Sequence, residues 1–217
     1  MEHTQTPLLE VSDLSVSFRM YGSGLEQRQL PVISSLSLRV LPGEILAVAG
    51  SSGSGKSLLA SAILGILPGN ATVSGALQFD GEPLTPERQA RLRGTEIALV
   101  PQSVAFLDPL MKVGAQADGH RKPRPTEARR ALFRQLGLPE QTERLYPFQL
   151  SGGMARRVLV STALLSEARL IIADEPTPGM SLEQAEEALS MFRAMADAGK
   201  GVVLITHDID LAFHIAD

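Results

Sequence analysis

Cysteine is absent from the 217-residue chain, which excludes a disulfide framework, thiolate metal sites and cysteine nucleophiles, and agrees with a reducing compartment. Aromatic residues make up only 4% of it, so Phe18 and Tyr21 stand out near the N-terminus. Positive charge is not in excess either: 20 Lys+Arg face 24 Asp+Glu, giving a formal charge of −4 and a pI of about 5.6. No bulk positive field exists to hold a polyanion, and no nucleic-acid partner is expected. Nowhere do 18 apolar residues follow one another, and the opening Met1-Glu2-His3-Thr4-Gln5-Thr6-Pro7 lacks a basic region followed by an apolar one. The expectation is a cytoplasmic chain that neither spans a membrane nor enters secretion by its own signal. No internal repeat or low-complexity tract occurs, and the 44% hydrophobic content is that of an ordinary folded protein.

The first forty residues alternate apolar and polar (Leu9, Val11, Leu14, Val16, Phe18, then Leu36, Leu38, Val40), which predicts half-buried antiparallel strands around a Gly-rich turn at 22–24. Four later segments, 45–49, 97–100, 170–173 and 202–205, are short continuous apolar runs, the pattern of parallel strands covered on both faces by helices. Helical periods lie between them, and the basic, twice proline-broken stretch 118–125 reads as a surface loop. The fold class is therefore α/β. Each apolar run is followed at once by a polar or glycine-rich element: 50–57, Pro101-Gln102, Asp174-Glu175-Pro176 and Thr206-His207-Asp208. In open α/β sheets ligands bind beyond the carboxyl ends of the strands, so these four elements should converge on one site.

Gly50-Ser51-Ser52-Gly53-Ser54-Gly55-Lys56-Ser57 satisfies G-x-x-x-x-G-K-[ST] and lies between an apolar strand and a helical run beginning at Leu58, the context that motif requires. Its glycines let backbone amides curl around phosphates, Lys56 would neutralise them, and the Ser57 hydroxyl would ligate Mg²⁺ at a helix N-terminus. Asp174 and Glu175 close a buried strand, where one carboxylate can hold Mg²⁺ and the other can accept a proton from water. Alternation along the strand would point them apart, and Pro176 would stop the strand. Taken alone, such a pair also suits a solvated strand end. His207 would reach a γ-phosphate if its strand lies beside the other three, or would be a structural hydrogen-bonding histidine. Gln102 could reach Mg²⁺ or the attacking water, or be a surface amide. Leu150-Ser151-Gly152-Gly153-Met154 precedes a helical run at 155–165 and offers a second anion-binding helix start, or simply an N-capped helix.

Together these residues resemble the ATP-binding subunit of ATP-binding cassette transporters over essentially the whole chain. In that resemblance 50–57 is similar to the family's Walker A, Gln102 to its Q-loop, Leu150-Ser151-Gly152-Gly153-Met154 to its signature, Asp174 and Glu175 to Walker B with the catalytic glutamate, and His207 to its switch histidine. It implies a P-loop fold with a mostly parallel core sheet, an N-terminal antiparallel part and a helical subdomain at about 103–160, all in one ATP-binding domain over 1–217. It also implies ATP and Mg²⁺ as ligands, with Leu58 beside Gly50 to Ser57 among the nucleotide-binding residues. Phe18 takes the position of the adenine-stacking aromatic, with Tyr21 near enough to compete and core packing as the other role for Phe18. Finer resemblance, through Phe106-Leu107-Asp108-Pro109-Leu110, Tyr146-Pro147-Phe148-Gln149 and Ile172-Ala173-Asp174-Glu175-Pro176-Thr177, points to importers of dipeptides, oligopeptides and nickel. Such importers imply a second ATP-binding subunit, usually a paralogue though a homodimer would also serve, two membrane permeases and a solute-binding protein. Residues 104–114 would be the permease contact, and the subunit would lie peripherally on the inner face of the membrane.

Three positions depart from the family pattern. Ser181 replaces the usual Asp in Pro178-Gly179-Met180-Ser181, implying asymmetric communication across a dimer; Arg156 replaces a usual Gln in Ala155-Arg156-Arg157; and the chain stops at Asp217, ten residues beyond His207, implying an incomplete C-terminal end. The leading expectation is an Mg²⁺-dependent ATPase dimerising head to tail, with Ser151, Gly152 and Gly153 of one subunit facing the nucleotide of the other. The alternatives are a non-transport ATPase switch of the same superfamily and a low-turnover regulatory partner in a heterodimer.

Overall fold

The computed structural model describes residues 6–21, 27–51, 53–119 and 125–217; the expected turn at 22–24 and the side chain of Tyr21 lie outside that description. In chain order the elements are β1 (Leu9–Tyr21), β2 (Gln27–Val40), β3 (Ile45–Ala49), α1 (Lys56–Leu64), β4 (Ala71–Phe79), β5 (Glu82–Pro83), α2 (Pro86–Leu92), β6 (Ile97–Val100), α3 (Val113–Asp118), α4 (Thr126–Gln135), α5 (Gly152–Leu164), β7 (Leu170–Asp174), α6 (Leu182–Asp197), β8 (Gly201–Thr206) and α7 (Ile209–Ile215), with short 3₁₀ turns at Val104–Phe106, Glu140–Arg144 and Pro147–Gln149.

The alternating N-terminal residues form an antiparallel sheet of order β2-β1-β4-β5. The apolar positions of β1 change parity between Val11 and Leu14, which a regular strand would turn to opposite faces. The ladder shifts register there, with Asp13 at φ 50°, so Leu9, Val11, Leu14 and Val16 all end up buried on one side. Gly75 of β4 faces this bulge at φ 100°, and a Cβ on it would stand 2.6 Å from the Asp13 carbonyl oxygen.

The four continuous apolar runs form an all-parallel sheet of order β3-β8-β7-β6. Its two central strands are buried throughout, and alternate residues serve different cores. Leu170, Ile172, Val203 and Ile205 pack with the antiparallel sheet and α1, through Leu9, Leu14, Ile63 and Phe79. Ile171, Ala173, Val202 and Leu204 pack with α5 and α6, through Val158, Ala188 and Phe192. Truncating one of the Leu or Ile residues among them to Ala would cost about 2–5 kcal/mol, so the parallel sheet is a rigid platform for whatever its strand ends carry.

Helix limits differ from the periodic runs for local reasons. α1 begins inside the glycine loop and stops at Leu64, because Gly65 takes a left-handed conformation and buried Gln89 donates to the Ala62 and Ile63 carbonyls. α5 begins at Gly152 because the Ser151 hydroxyl caps it by accepting from the Met154 amide at 3.3 Å. Of the stretch 118–125 expected as a surface loop, 120–124 lie outside the described residues, and its start is helix: Asp118 ends α3, is 1% exposed and pairs with Arg129 of α4. Among the described residues no helix is long and apolar enough to cross a membrane.

Candidate functional site at the strand ends

β3 delivers the glycine-rich loop. Gly53 (φ 80°) and Gly55 (φ 89°) hold left-handed conformations that let the loop double back, and β2 closes on it so tightly that a Cβ on Gly55 would lie 2.9 Å from Val32 Cγ1. Ser52 lies outside the described residues. Among the described residues no side chain caps α1. Lys56 Nζ crosses the loop and donates to the Gly50 and Ser51 carbonyls, both at 2.7 Å. The Leu58 amide instead donates back to Gly55 at 3.0 Å, and its side chain packs on the core between the sheets. An anion entering the loop would therefore meet a helix N-terminus and an ammonium held by neutral carbonyls it can leave.

β7 and β8 bring the carboxylates and the histidine beside this loop. Asp174 is the last residue of β7, 5% exposed, and its Oδ1 has no hydrogen-bond partner among the described residues. Burial raises its carboxyl above the ordinary range, against a hydrogen bond from Ser57 that lowers it; the Glu175 charge adds to the rise and Lys56 and Arg156 oppose it. A buried, unsatisfied carboxylate oxygen beside the Ser57 hydroxyl is the donor set a hard divalent cation takes, so these residues fit Mg²⁺.

Glu175 is not part of the strand. Its φ of 49° is left-handed, a strained state for a non-glycine residue, while its amide still donates to Ile205 of β8 at 2.9 Å. The expected alternation therefore stops at Asp174, and the two carboxylates differ through their partners instead. Glu175, 6% exposed, accepts from His207 Nδ1 on both oxygens at 2.8 Å. His207 is fixed between Thr206, whose hydroxyl accepts from the Asp208 amide at 3.0 Å, and Asp208, which caps α7 by accepting from the Leu211 amide at the same distance. A carboxylate oriented by an imidazole can take a proton from a water placed against it.

Gln102 follows β6 and is exposed, but its backbone is held: buried Arg156 of α5 donates to the Pro101 carbonyl at 2.8 Å and to the Gln102 carbonyl. Ser151 and Gly152 are exposed at the start of α5, and Gly153 is half-buried against Gly179. Arg157 joins that helix start to α4 by donating to Gly153 at 3.2 Å and to Leu136 and Gly137 at 3.0 Å each. Phe18 pairs with Leu30 and Ala71 in the antiparallel sheet and packs, half-buried, on the core between the sheets. The strand ends thus bring together the loop residues 50–51 and 53–57, Asp174, Glu175, His207 and Gln102, while Ser151, Gly152 and Gly153 project from a separate helix. Two features escaped the sequence reading, the left-handed Glu175 and the grip of Arg156. A cation inside the apolar helical run at 155–165 was the available signal for the second.

The ABC transporter family model matches residues 33–178. Among similar proteins, the oligopeptide transport ATP-binding protein OppD of Mycobacterium tuberculosis is 36% identical over 98% of this chain. The peptidoglycan transport ATP-binding protein YejF of Agrobacterium fabrum is 36% identical over 100% of it, and OppD of Bacillus subtilis 32% over 98%. The chain spans 36% of the length of the mycobacterial relative, 42% of YejF and 62% of the Bacillus one. A solved ATP-binding subunit of an ABC transporter superposes with a TM-score of 0.77 at 26% identity, covering 97% of this chain and 83% of that one. The dimeric ATP-binding cassette MJ0796 bound to ADP and Pi gives a TM-score of 0.81 at 24% identity, over 94% of this chain and 90% of that one, a likeness of fold. With its family match covering more than half of its length, the chain belongs to the ATP-binding domain family of ABC transporters.

Proposed function

We propose that this chain is the ATP-hydrolysing motor of a peptide importer, and that residues 1–217 act as one ATP-binding domain with a helical part at about 103–160. The observation that supports it most is the adjacency of four parallel strands whose ends carry the glycine loop, His207, the Asp174 and Glu175 pair and Gln102, in that lateral order. In this reading Lys56 exchanges its two loop carbonyls for phosphate oxygens, and the α1 amides take the rest of that charge. Ser57 and Asp174 hold Mg²⁺, assisted by Gln102. When bound there, Mg²⁺ would supply positive charge to offset that of the phosphates. Glu175, set by His207, orients water for in-line attack and takes its proton. Phe18 presents its free face to the adenine.

The exposed Ser151 and Gly152, with Gly153, face the nucleotide of a second ATP-binding subunit, so that closure around two nucleotides drives a pair of permeases on the inner face of the membrane. The names of the two OppD relatives favour peptides over nickel chelates as the cargo, delivered by a solute-binding protein. The test is steady-state Mg·ATP hydrolysis over a range of protein concentrations, with Glu175→Gln alongside. Turnover rising faster than linearly with protein and vanishing in the variant is expected; undiminished turnover by Glu175→Gln would remove the assigned base.

A further inference from the structure

Arg156 sits in the second turn of α5, 7% exposed, and among the described residues no carboxylate is bonded to it directly. Its two terminal nitrogens instead go to adjacent carbonyls, Pro101 at 2.8 Å and Gln102, while Nε has no partner among the described residues. A buried guanidinium is costly unless something fixed needs its fork, because both carbonyls would lose their donors if it left. The two acceptors belong to the segment that carries Gln102, and the donor belongs to the helix that presents Ser151, Gly152 and Gly153. Asp174 and Glu175 act on Arg156 only through their charge, which offsets part of the burial cost. Its neighbour Arg157 has a different reach, to the end of α4.

We propose that Arg156 is a positioning residue of the hydrolytic site that acts through Gln102, its fork holding the Pro101 and Gln102 backbone on α5 so that the loop after β6 and the signature helix move as one piece. The proposal rests on the hydrolytic reading above for its consequence in catalysis, but not for the mechanical tie itself. Without the fork the Pro101 and Gln102 carbonyls lose these donors, and the backbone that carries the Gln102 side chain is no longer bonded to α5. A lysine in place of Arg156 keeps the charge and can reach one carbonyl, but it cannot span both in a plane.

The test uses Arg156→Met, Arg156→Lys, Gln102→Ala and the double variant Gln102→Ala/Arg156→Met in the full chain. The expected result is that Arg156→Met lowers kcat by about tenfold or more while KM for Mg·ATP stays within about threefold, and that Arg156→Lys recovers part of the loss. In the Gln102→Ala background, Arg156→Met should change kcat by less than about twofold, because the residue it acts through is gone. Independent, multiplicative losses in the double variant would overturn the proposal. Hydrogen–deuterium exchange of the nucleotide-free protein supplies a readout apart from turnover. Arg156→Met should speed exchange by about tenfold or more at the amides of 102–105 and leave β7 and the second half of α5 unchanged. Unchanged exchange at 102–105 would refute the tie, and faster exchange throughout α5 and β7 would reduce Arg156 to a fold residue. Wild-type protein that fails to hydrolyse ATP, with the local exchange change still produced by Arg156→Met, would remove the hydrolytic reading and leave the tie standing.

Discussion

Gly152 and Gly153 are adjacent in the first turn of α5, yet substitution by alanine should move stability in opposite directions. A Cβ on Gly152 meets nothing within 4 Å, so Gly152→Ala gains only the helix preference of alanine over glycine, about 0.5–1 kcal/mol at most at a helix start. A Cβ on Gly153 would stand 2.6 Å from the carbonyl oxygen of Gly179, a separation real Cβ atoms essentially never show. Restoring ordinary contact requires a retreat of roughly 0.8 Å, and the obstacle is backbone rather than a flexible side-chain tip. Gly179 is itself at φ 81°, so the segment after the Asp174 and Glu175 pair cannot simply rotate its carbonyl away. Forced movements of this kind cost about 1–3 kcal/mol, which exceeds the propensity gain.

Because both variants share the propensity contribution, their difference isolates the clash. Urea unfolding followed by far-ultraviolet circular dichroism should place the Gly153→Ala midpoint below that of Gly152→Ala by roughly 0.5–1 M, with equal slopes. Hydrogen–deuterium exchange should be faster at 177–181 in Gly153→Ala alone. Equal midpoints would mean that the approach of α5 to Gly179 is loose, and the argument for glycine at 153 would fall.

Two further outcomes follow from named contacts. Glu143 accepts from Arg129 at 2.8 Å and from Arg130 at 3.0 Å, which holds its carboxyl down from 4.5 to about 2. A depressed carboxyl stabilises the fold above its unfolded value and loses that contribution as pH falls from about 4.5 towards 2. With Arg130 partly in solvent, the contribution is about 2 kcal/mol after screening, so Glu143→Gln should be less stable by that amount at pH 6–7 and should converge on wild type only as pH falls through about 2. A stability difference independent of pH would count against the ion pair. Ser181 caps α6 by accepting from the Gln184 amide at 3.3 Å while Gln184 accepts from the Ser181 amide at 3.2 Å. Ser181→Ala should therefore cost about 1 kcal/mol in unfolding experiments and Ser181→Asp almost nothing, since aspartate caps equally well; loss of stability in both would show that the hydroxyl does more than cap.

The parallel sheet was legible because its strands are buried on both faces, and such burial writes continuous apolar runs such as Leu170-Ile171-Ile172-Ala173 into the sequence. The antiparallel sheet was half legible. β1 and β2 alternate, but β4, Ala71–Phe79, is mostly exposed and carries a glycine in its middle, so it offers neither an apolar run nor a clean alternation. Its place is set by β1, on which it pairs from Leu9↔Phe79 to Phe18↔Ala71, a long-range match that local pattern does not encode. The parity change between Val11 and Leu14 was visible in the spacing but meaningful only once a neighbouring strand had a register to shift against.

The candidate site divides in the same way. Residues whose placement follows from being at the end of a parallel strand, among them Lys56, Asp174 and His207, could be gathered from sequence because strand ends and topology suffice to place them. Glu175 was gathered for the same reason and then given the wrong local geometry: strand alternation was extended one residue too far. The left-handed turn at Glu175 keeps its amide on β8 while freeing its carboxylate from the strand's pleat, and that is what lets it meet the imidazole just beyond the end of β8. A strain of about 1–3 kcal/mol at that one residue is tolerated because β7 before it is wholly buried and the pairing with Ile205 continues through it. The strand platform and the strained residue are therefore one device: rigidity encoded in an apolar run supports a backbone state that no local sequence preference would select.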